Sequence, residues 1–287
     1  MSLSVIILTM NESKNITECI NSVKQIANRI IVVDSGSTDD TIAKAQSVGA
    51  EVHYNKFIDY SSQFNWAIDN LMITTKWTMR LDADERITPD LANEIDNEMK
   101  KNNETDINGM VLKLKIYFLG KWLKHGDTYP FRKLMVFKTG IGRIEKRKMD
   151  EHTILSSGTS IELKNDGLHY DFKNLNYWIN KQNWYATREM QDYFENKNSK
   201  SIRNLPSSSI KSRRKQKTVY YKLPKFHRAF FLFIYRYIFK LGFLDGKQGL
   251  IFQFLQTYWY RFLVDSKIYE HEKMGLDFEE TGALVSK

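Results

Sequence analysis

One cysteine stands in 287 residues. A single thiol, Cys19, excludes an internal disulfide framework and a cysteine-based zinc cluster, so nothing in the chain asks for an oxidising compartment. Cys19 reads as a small apolar filler on the first helix. The sequence also lacks the roughly 20 uninterrupted apolar residues that a bilayer-spanning helix needs, because Arg236 and Lys240 break the best candidate, 226–243. No basic leader, apolar run and small-residue cleavage site opens the chain; Met1 leads directly into a strand-like segment, which predicts a cytoplasmic location. Neither a Gly-x-Gly-x-x-Gly run nor a phosphate-loop lysine motif occurs, and this disfavours a dinucleotide oxidoreductase or a kinase of the usual kinds.

What is present is enough apolar content, 42%, for a sizeable core in one large domain or one domain with an appendage. Charge is unevenly spread. Residues 1–110 carry ten Lys/Arg against seventeen Asp/Glu, a balance of −7, so the overall +9 leaves +16 for residues 111–287. The acidic part tolerates a divalent cation, and the basic part suits an anionic ligand or a membrane.

The opening alternates β-branched runs (3–8, 29–34) with helical patterns (15–25, 39–47), which predicts successive βαβ units and a mainly parallel sheet. Val5 to Leu8 and Ile30 to Val33 are continuous apolar runs, as strands covered on both faces require. Ser37, Thr38, Asp39 and Asp40 place capping side chains and negative charge where a helix leaves N–H groups free. A third strand is expected over 51–54, a helix over 61–71, and a fourth strand over 76–81 that ends in Asp82-Ala83-Asp84-Glu85. Thr88-Pro89 opens another helix, with proline where its missing donor costs little. Beyond Gly109 longer strands (110–119, 131–138) predict that the sheet becomes mixed, and 173–195 reads as a helix. The expected organisation is a catalytic domain over 1–195, a basic linker over 196–217, and an aromatic, basic helical extension over 218–287. Two helices in the extension, 223–241 and 246–269, flank Gly242-Phe243-Leu244-Asp245.

The chemistry centres on Asp82 and Asp84. In an open α/β sheet, ligands gather outside the carboxyl ends of the strands, so both acids face a crevice. Two carboxylates this close repel, and a hard cation, Mg²⁺ or Mn²⁺, would neutralise them together with substrate phosphates. A bare Asp-x-Asp is a common solvated turn, but here Thr9-Met10-Asn11-Glu12 follows the first strand and Asp34-Ser35-Gly36-Ser37-Thr38-Asp39 the second. Both offer polar groups at the same sheet edge. An aspartate after the second strand can accept hydrogen bonds from a base or ribose.

On Val5-Ile6-Ile7-Leu8-Thr9-Met10-Asn11-Glu12, Asp34-Ser35-Gly36-Ser37-Thr38-Asp39, Gln63-Phe64-Asn65-Trp66-Ala67 and Leu81-Asp82-Ala83-Asp84-Glu85, the chain resembles family 2 glycosyltransferases of the nucleotide-sugar-dependent A-type fold. Within them it is similar to the bacterial β-glucosyltransferase branch that builds lipopolysaccharide cores and surface polysaccharides. The resemblance covers residues 1 to about 172; beyond them, Gly242-Phe243-Leu244-Asp245-Gly246 matches only the narrower branch. By position it implies that Thr9, Asn11, Glu12 and Asp34 line the nucleotide site, with Gln63 and Asn65 near the donor. It also implies that Asp82 faces ribose or sugar and that Asp84 holds the metal. Arg80 and Arg132 are candidate diphosphate contacts, because guanidinium pairs with phosphate oxygens in a fork. His169 matches a position where relatives keep a histidine, and it would complete the metal or diphosphate site. Lys181 and Arg188 are further cations that could reach the diphosphate.

Inversion at the anomeric carbon needs a base for the acceptor hydroxyl and positive charge for the leaving diphosphate. Relatives keep a His-Glu or Glu-Asp pair where this chain has Asp150-Glu151-His152, which leaves the base open between Asp150 and Glu151; Glu151 is favoured because the second acid is usually the base. Aromatic residues interleaved with Arg228, Arg236 and Lys240, after the basic cluster Lys211, Arg213, Arg214, Lys215 and Lys217, suit the headgroup region of a membrane. The expected activity is therefore sugar transfer from a nucleotide diphosphate donor, UDP-hexose, to a lipid-linked or saccharide acceptor at the cytoplasmic membrane face. Helices packing on a domain or a second subunit are the alternative for the C-terminal region. Transfer to a soluble or peptide acceptor is the alternative activity. Nucleic-acid binding, prompted by the basic balance, leaves the acidic crevice unexplained, so no nucleic acid is expected.

Overall fold

A computed structural model of the protein describes residues 2–146, 149, 151–171, 173–197 and 217–275. They fall into two compact units. The first comprises Met1–Ile116, Pro130–Lys146 and Glu151–Asp171, and the second Tyr117–Tyr129, Arg147–Asp150 and Phe172–Lys287. The helix that the sequence analysis groups with the catalytic domain thus belongs to the second unit, as does 117–129.

The first unit opens as β1 (Leu3–Thr9), α1 (Ile16–Val23), β2 (Arg29–Asp34), α2 (Thr41–Ser47), β3 (Glu51–Tyr54), α3 (Tyr60–Asn70) and β4 (Trp77–Asp82). There follow β5 (Glu85–Arg86), α4 (Pro89–Lys101) and β6 (Ile107–Phe118), whose last two residues, like β7 (Lys121–Trp122), belong to the second unit, then β8 (Phe131–Lys138), β9 (Gly142–Ile144), β10 (Thr153–Leu155) and β11 (Thr159–His169). The sheet runs β3-β2-β1-β4-β8-β6-β11-β5. β3, β2, β1 and β4 pair in parallel, whereas β8 is antiparallel to β4 and β6, so the sheet is mixed as expected. β9 and β10 form a separate antiparallel ribbon.

The order places a switch point between β1 and β4: the chain builds outward from β1 to β3, then returns to β1's other side. At such a point the crossover loops part and leave a crevice at the strand carboxyl ends. Register puts Thr9 opposite Asp34 and Leu8 opposite Asp82, so three strands deliver polar residues to one edge.

The period of two along β1 divides the core. Leu3, Val5 and Ile7 join Ile16, Ile20, Leu91 and Ile95 from α1 and α4 on one face, while Ile6 meets Phe64, Ala67, Phe137 and Ile144 on the other. Helix starts follow the chemistry of the sequence. Asp59 accepts from the Ser62 N–H at α3 (2.7 Å) and Thr88 from the Leu91 N–H at α4 (3.3 Å). The Thr41 N–H at α2 donates to Asp39 (3.0 Å). The long strand β11 was not anticipated, because its charged stretch Glu162 to Asp166 buries only Leu163 and carries a register shift.

The second unit contains α5 (Leu175–Lys197) and helices His227–Ile234, Gly246–Gln253 and Tyr260–Met274. π-helical turns at Tyr235–Phe239 and Phe254–Trp259 and a 3₁₀ turn at Gly242–Asp245 connect them. The helix expected from residue 223 starts later. Pro224 disfavours helix in the residue before it, and Phe226 is left-handed (φ 68°), its N–H donating to Asp265 (2.7 Å). Ala186 and Met190 of α5 pack on Tyr260, Val264 and Ile268. Phe118 meets Trp178 and Phe252 edge-on at 5.9 and 5.3 Å. Charges are buried here: Arg228 Nε donates to Asp265 (3.0 Å), both side chains being almost fully enclosed. Among the described residues no helix is long and apolar enough to cross a membrane.

Candidate active site

The carboxyl end of β4 carries a dense charge network. Tyr60, the first residue of α3, donates its hydroxyl to Asp82 Oδ1 (2.6 Å), and Lys133 Nζ donates to Asp82 Oδ2 (2.6 Å) and to Glu85 Oε1 (2.6 Å). Glu85, fully buried, accepts the Asp82 N–H through Oε2 (2.9 Å) and so closes the turn after the strand. Burial opposes the charge on Asp82, but Lys133 and Arg80 hold its carboxyl well below the usual carboxylate range. Burial likewise opposes the charge on Lys133, and Asp82 and Glu85 raise its pKa in return. Three of these groups lie beyond the sequence reading: Tyr60, Glu85 and Lys133.

Asp84 points to a different partner. His169, at the end of β11, has Nδ1 3.8 Å from Asp84 Oδ1 and 3.6 Å from Glu85 Oε1, beyond hydrogen-bond reach. That nitrogen is buried and makes no hydrogen bond among the described residues. Against the desolvation that burial imposes, Asp84 and Glu85 push its pKa up to about 8. The Tyr170 N–H donates to the Asp84 carbonyl (2.8 Å), tying the end of β11 to the acidic turn. A carboxylate oxygen suits Mg²⁺ or Mn²⁺, and the imidazole nitrogen, a softer ligand, joins it only once it has given up its proton. Among the described residues no group of three such side chains is gathered to hold a metal ion, so a cation there would draw further ligands from a bound diphosphate. The chemistry of Asp84 and His169 fits that role.

The loop after β2 forms the neighbouring wall. Asp34, fully buried, accepts the N–H groups of Gly36 (2.8 Å) and Ser37 (2.8 Å) and the Ser37 hydroxyl (2.5 Å). This turn needs Gly36 at φ 105°. Asn11 is left-handed (φ 55°) without being glycine, and its Oδ1 accepts from the Thr38 N–H (2.8 Å) while its own N–H donates to Ser37 Oγ (2.8 Å). Strain of this kind collects where a ligand site fixes the backbone. The Glu12 N–H donates to Thr41 Oγ1 (2.8 Å), and the Glu12 side chain accepts from Asn15 (2.8 Å). Gln63 is buried; its Nε2 donates to Ser35 Oγ (3.0 Å) and to the Asn55 carbonyl (2.8 Å), which clamps this loop. Thr9 Oγ1 is buried and makes no hydrogen bond among the described residues.

The structure therefore brings Thr9, Asn11, Glu12, Asp34 and Gln63 to one edge of the sheet, and Asp82, Asp84 and His169 to another part of that edge. Three expected donor contacts are engaged by the protein itself. Asn65 is bound to both backbone groups of Ile144 (2.8 and 3.1 Å) and so pins β9. Arg80 is buried with its guanidinium over the Tyr60 ring (4.3 Å) and its Nε on the Tyr60 hydroxyl (2.6 Å), which makes it a support for Asp82. Arg132 forms an exposed pair with Glu162 (2.6 Å). Strand alternation explains the last: Arg132 and Lys133 point to opposite faces of β8, and it is Lys133 that reaches the acids. Lys181 and Arg188 lie in the second unit, near the Tyr185 and Trp184 rings of their own helix. Glu151 sits two residues before β10, beside His152, whose N–H donates to Glu145 Oε1 (3.1 Å). Asp150 and the basic residues Lys211, Arg213, Arg214 and Lys215 lie outside the described residues.

Among curated proteins, the chain is 27% identical over 293 residues to an uncharacterized glycosyltransferase of Rickettsia conorii, covering 99% of this chain and 97% of that protein. It is 26% identical over 201 residues to the lipopolysaccharide core biosynthesis glycosyltransferase LpsC of Rhizobium meliloti, covering 68% and 73%. Among solved structures it is similar to glucosyl-3-phosphoglycerate synthase from Mycobacterium tuberculosis in complex with Mn²⁺, UDP and glucosyl-3-phosphoglycerate, with a TM-score of 0.33 and 21% identity over 40% of this chain and 44% of that one. The profile of Glycosyl transferase family 2 matches residues 4–153, the sheet that bears the β1, β2 and β4 loops. The protein has the A-type glycosyltransferase fold followed by C-terminal helices, and the chain belongs to glycosyl transferase family 2.

Proposed function

We propose that the protein is a metal-dependent, inverting glycosyltransferase that moves a hexose from a UDP-sugar to a lipid-linked or lipopolysaccharide-type acceptor. The observation that carries this reading is the buried network at the end of β4: Asp82 is tied off by Tyr60 and Lys133, whereas Asp84 faces His169 across 3.8 Å.

Asp84 and His169 would hold Mg²⁺ or Mn²⁺, which when bound supplies positive charge to the leaving diphosphate. Lys133 keeps Asp82 and Glu85 ionised in place, and Arg80 fixes Tyr60, so the acidic turn meets a donor without rearranging. The loop organised by Asp34 and Asn11, together with Thr9 Oγ1, offers donors and acceptors to the nucleotide. Glu151 or Asp150 takes the proton of the acceptor hydroxyl as the new bond forms on the face opposite the departing diphosphate.

Two observations support the acceptor class. The Rhizobium meliloti relative is a lipopolysaccharide core biosynthesis glycosyltransferase. The second unit exposes Phe230, Phe231, Ile238, Phe239, Phe243 and Leu244, with Phe239 at 72%, among lysines such as Lys240 and Lys247. Rings and cations together bind the headgroup region of an anionic bilayer.

The test is purified Asp84→Ala assayed with UDP-hexose. Turnover should fall at least about a hundredfold, because the cation's contribution to charge stabilisation is lost, while the unfolding temperature stays near wild type. Near wild-type activity in the presence of a chelator would overturn the mechanism. Co-sedimentation with anionic vesicles at low salt checks the membrane part, and absence from the pellet overturns it.

A further inference from the structure

The second unit holds a constructed site that this chemistry does not use. His125 is gripped twice by Asp245, 120 residues away: its N–H donates to Asp245 Oδ2 (2.9 Å), and its Nδ1 lies 2.8 Å from Asp245 Oδ1. Asp245 is buried, and Lys121 Nζ also donates to its carbonyl (2.7 Å). A carboxylate accepts and does not donate, so Nδ1 is the donor in this contact. The imidazole is 35% exposed, and among the described residues Nε2 has no partner.

The neighbouring chain is built to hold this geometry. Gly126 (φ 68°) and Asp127 (φ 60°) are both left-handed, and Asp127 is not glycine. The Gly126 N–H donates to the Lys240 carbonyl (2.8 Å), and Gln253 Nε2 donates to the Gly126 carbonyl (3.1 Å) and to Thr128 Oγ1 (3.1 Å). A Cβ on Gly126 would come within 2.1 Å of Gln253, and one on Gly249 within 2.5 Å of the Gly242 carbonyl, so the glycines of the 242–249 turn are required for the close approach. Arg236 contacts the Asp127 carboxylate (3.3 Å), which stays 57% exposed. The His125 imidazole and the Asp127 carboxylate lie two residues apart in sequence, and Trp122 and Tyr129 of the same segment meet edge to face at 5.4 Å. Hydrogen-bond acceptors beside aromatic rings are the chemistry that recognises a hydroxyl-rich sugar ring.

We infer that His125, fixed by Asp245, is a saccharide-binding residue of the second unit whose Nε2 hydrogen-bonds a hydroxyl of the acceptor, with Asp127 as the second contact. This rests on the glycosyltransferase reading and assigns the part of the chain that binds the acceptor sugar.

The experiment is saturation-transfer NMR on the full-length protein with methyl β-glucopyranoside, methyl β-galactopyranoside and lactose, beside a thermal-shift titration with UDP-glucose and Mn²⁺. Wild type should give saturation signals from at least one saccharide. His125→Gln should weaken that binding about tenfold or more, as loss of an oriented hydrogen bond does, and Asp127→Asn, at an exposed position, by a smaller factor. Both variants should keep the wild-type unfolding temperature and UDP-glucose shift. Saccharide signals absent from wild type, unchanged in both variants, or displaced by inorganic phosphate alone would overturn the assignment. Loss of the UDP-glucose shift in wild type, with saccharide binding intact, would instead count against the donor chemistry of the first unit.

Discussion

The two units differ in the apolar surface they expose, although both enclose charge. The sheet unit encloses Glu85 with Lys133, and the helical unit Arg228 with Asp265. Among the described residues the sheet unit exposes four large apolar side chains, Met10, Tyr54, Ile58 and Met72. The helical unit exposes sixteen, most of them aromatic or leucine. Scattered apolar residues are ordinary on a surface, but a dense set is a contact face. The difference is one of exposed surface: the helical unit leaves far more apolar side chain in water than the sheet unit does.

This contrast can be broken from either side. Lys133→Met should destabilise the sheet unit by about 3–5 kcal/mol, because it leaves Asp82 and Glu85 enclosed without their cation; urea unfolding measures it, and a loss below about 1 kcal/mol would mean that the network is solvated. Phe64→Ala, removing a fully buried ring from between the sheet and α3, should cost about 3–5 kcal/mol by the same measurement.

In the helical unit, acid should act through Glu189. Burial disfavours its charge, yet Arg261 and Lys217, with the hydroxyls of Tyr260 and Tyr221, hold its pKa well below the usual carboxylate range. A depressed folded pKa stabilises fully above the unfolded value, about 4.3, and that stability is lost as pH falls from there toward the folded value. Acid titration followed by circular dichroism should therefore show helix loss below pH about 4, and Glu189→Gln should flatten that dependence. The smallest effect on stability belongs to Phe239→Ser, within about 0.5 kcal/mol because the ring is exposed, although the same substitution should weaken binding to anionic vesicles.

Much of the sheet unit was legible in the sequence, and the reason is periodicity. Continuous apolar runs, capping residues and the acidic turn after the fourth strand each carry a local signal, and β2, β3 and β8 match their expected spans. What escaped depends on contacts distant in sequence. β11 lacks a clean apolar alternation, so its pairing with β6 leaves no local trace. Arg132 and Lys133 are adjacent cations in the sequence, and only the pleat, fixed by pairing with β6, decides which one reaches the acids. Tyr60 lies one residue before the expected helix, and its role arises from Asp82, 22 residues on. In the helical unit, the Gly242 to Gly246 stretch was visible as a break between helices, but not as the turn that turns Asp245 toward His125.

The most direct test of the central claim is donor binding measured with and without the cation. UDP-hexose with Mn²⁺ at about 100 times its Kd should stabilise the wild-type protein by about 2.7 kcal/mol, seen as a raised unfolding temperature. A chelator or Asp84→Ala should remove most of that shift. A shift of the same size without metal, or in Asp84→Ala, would contradict a cation held at Asp84.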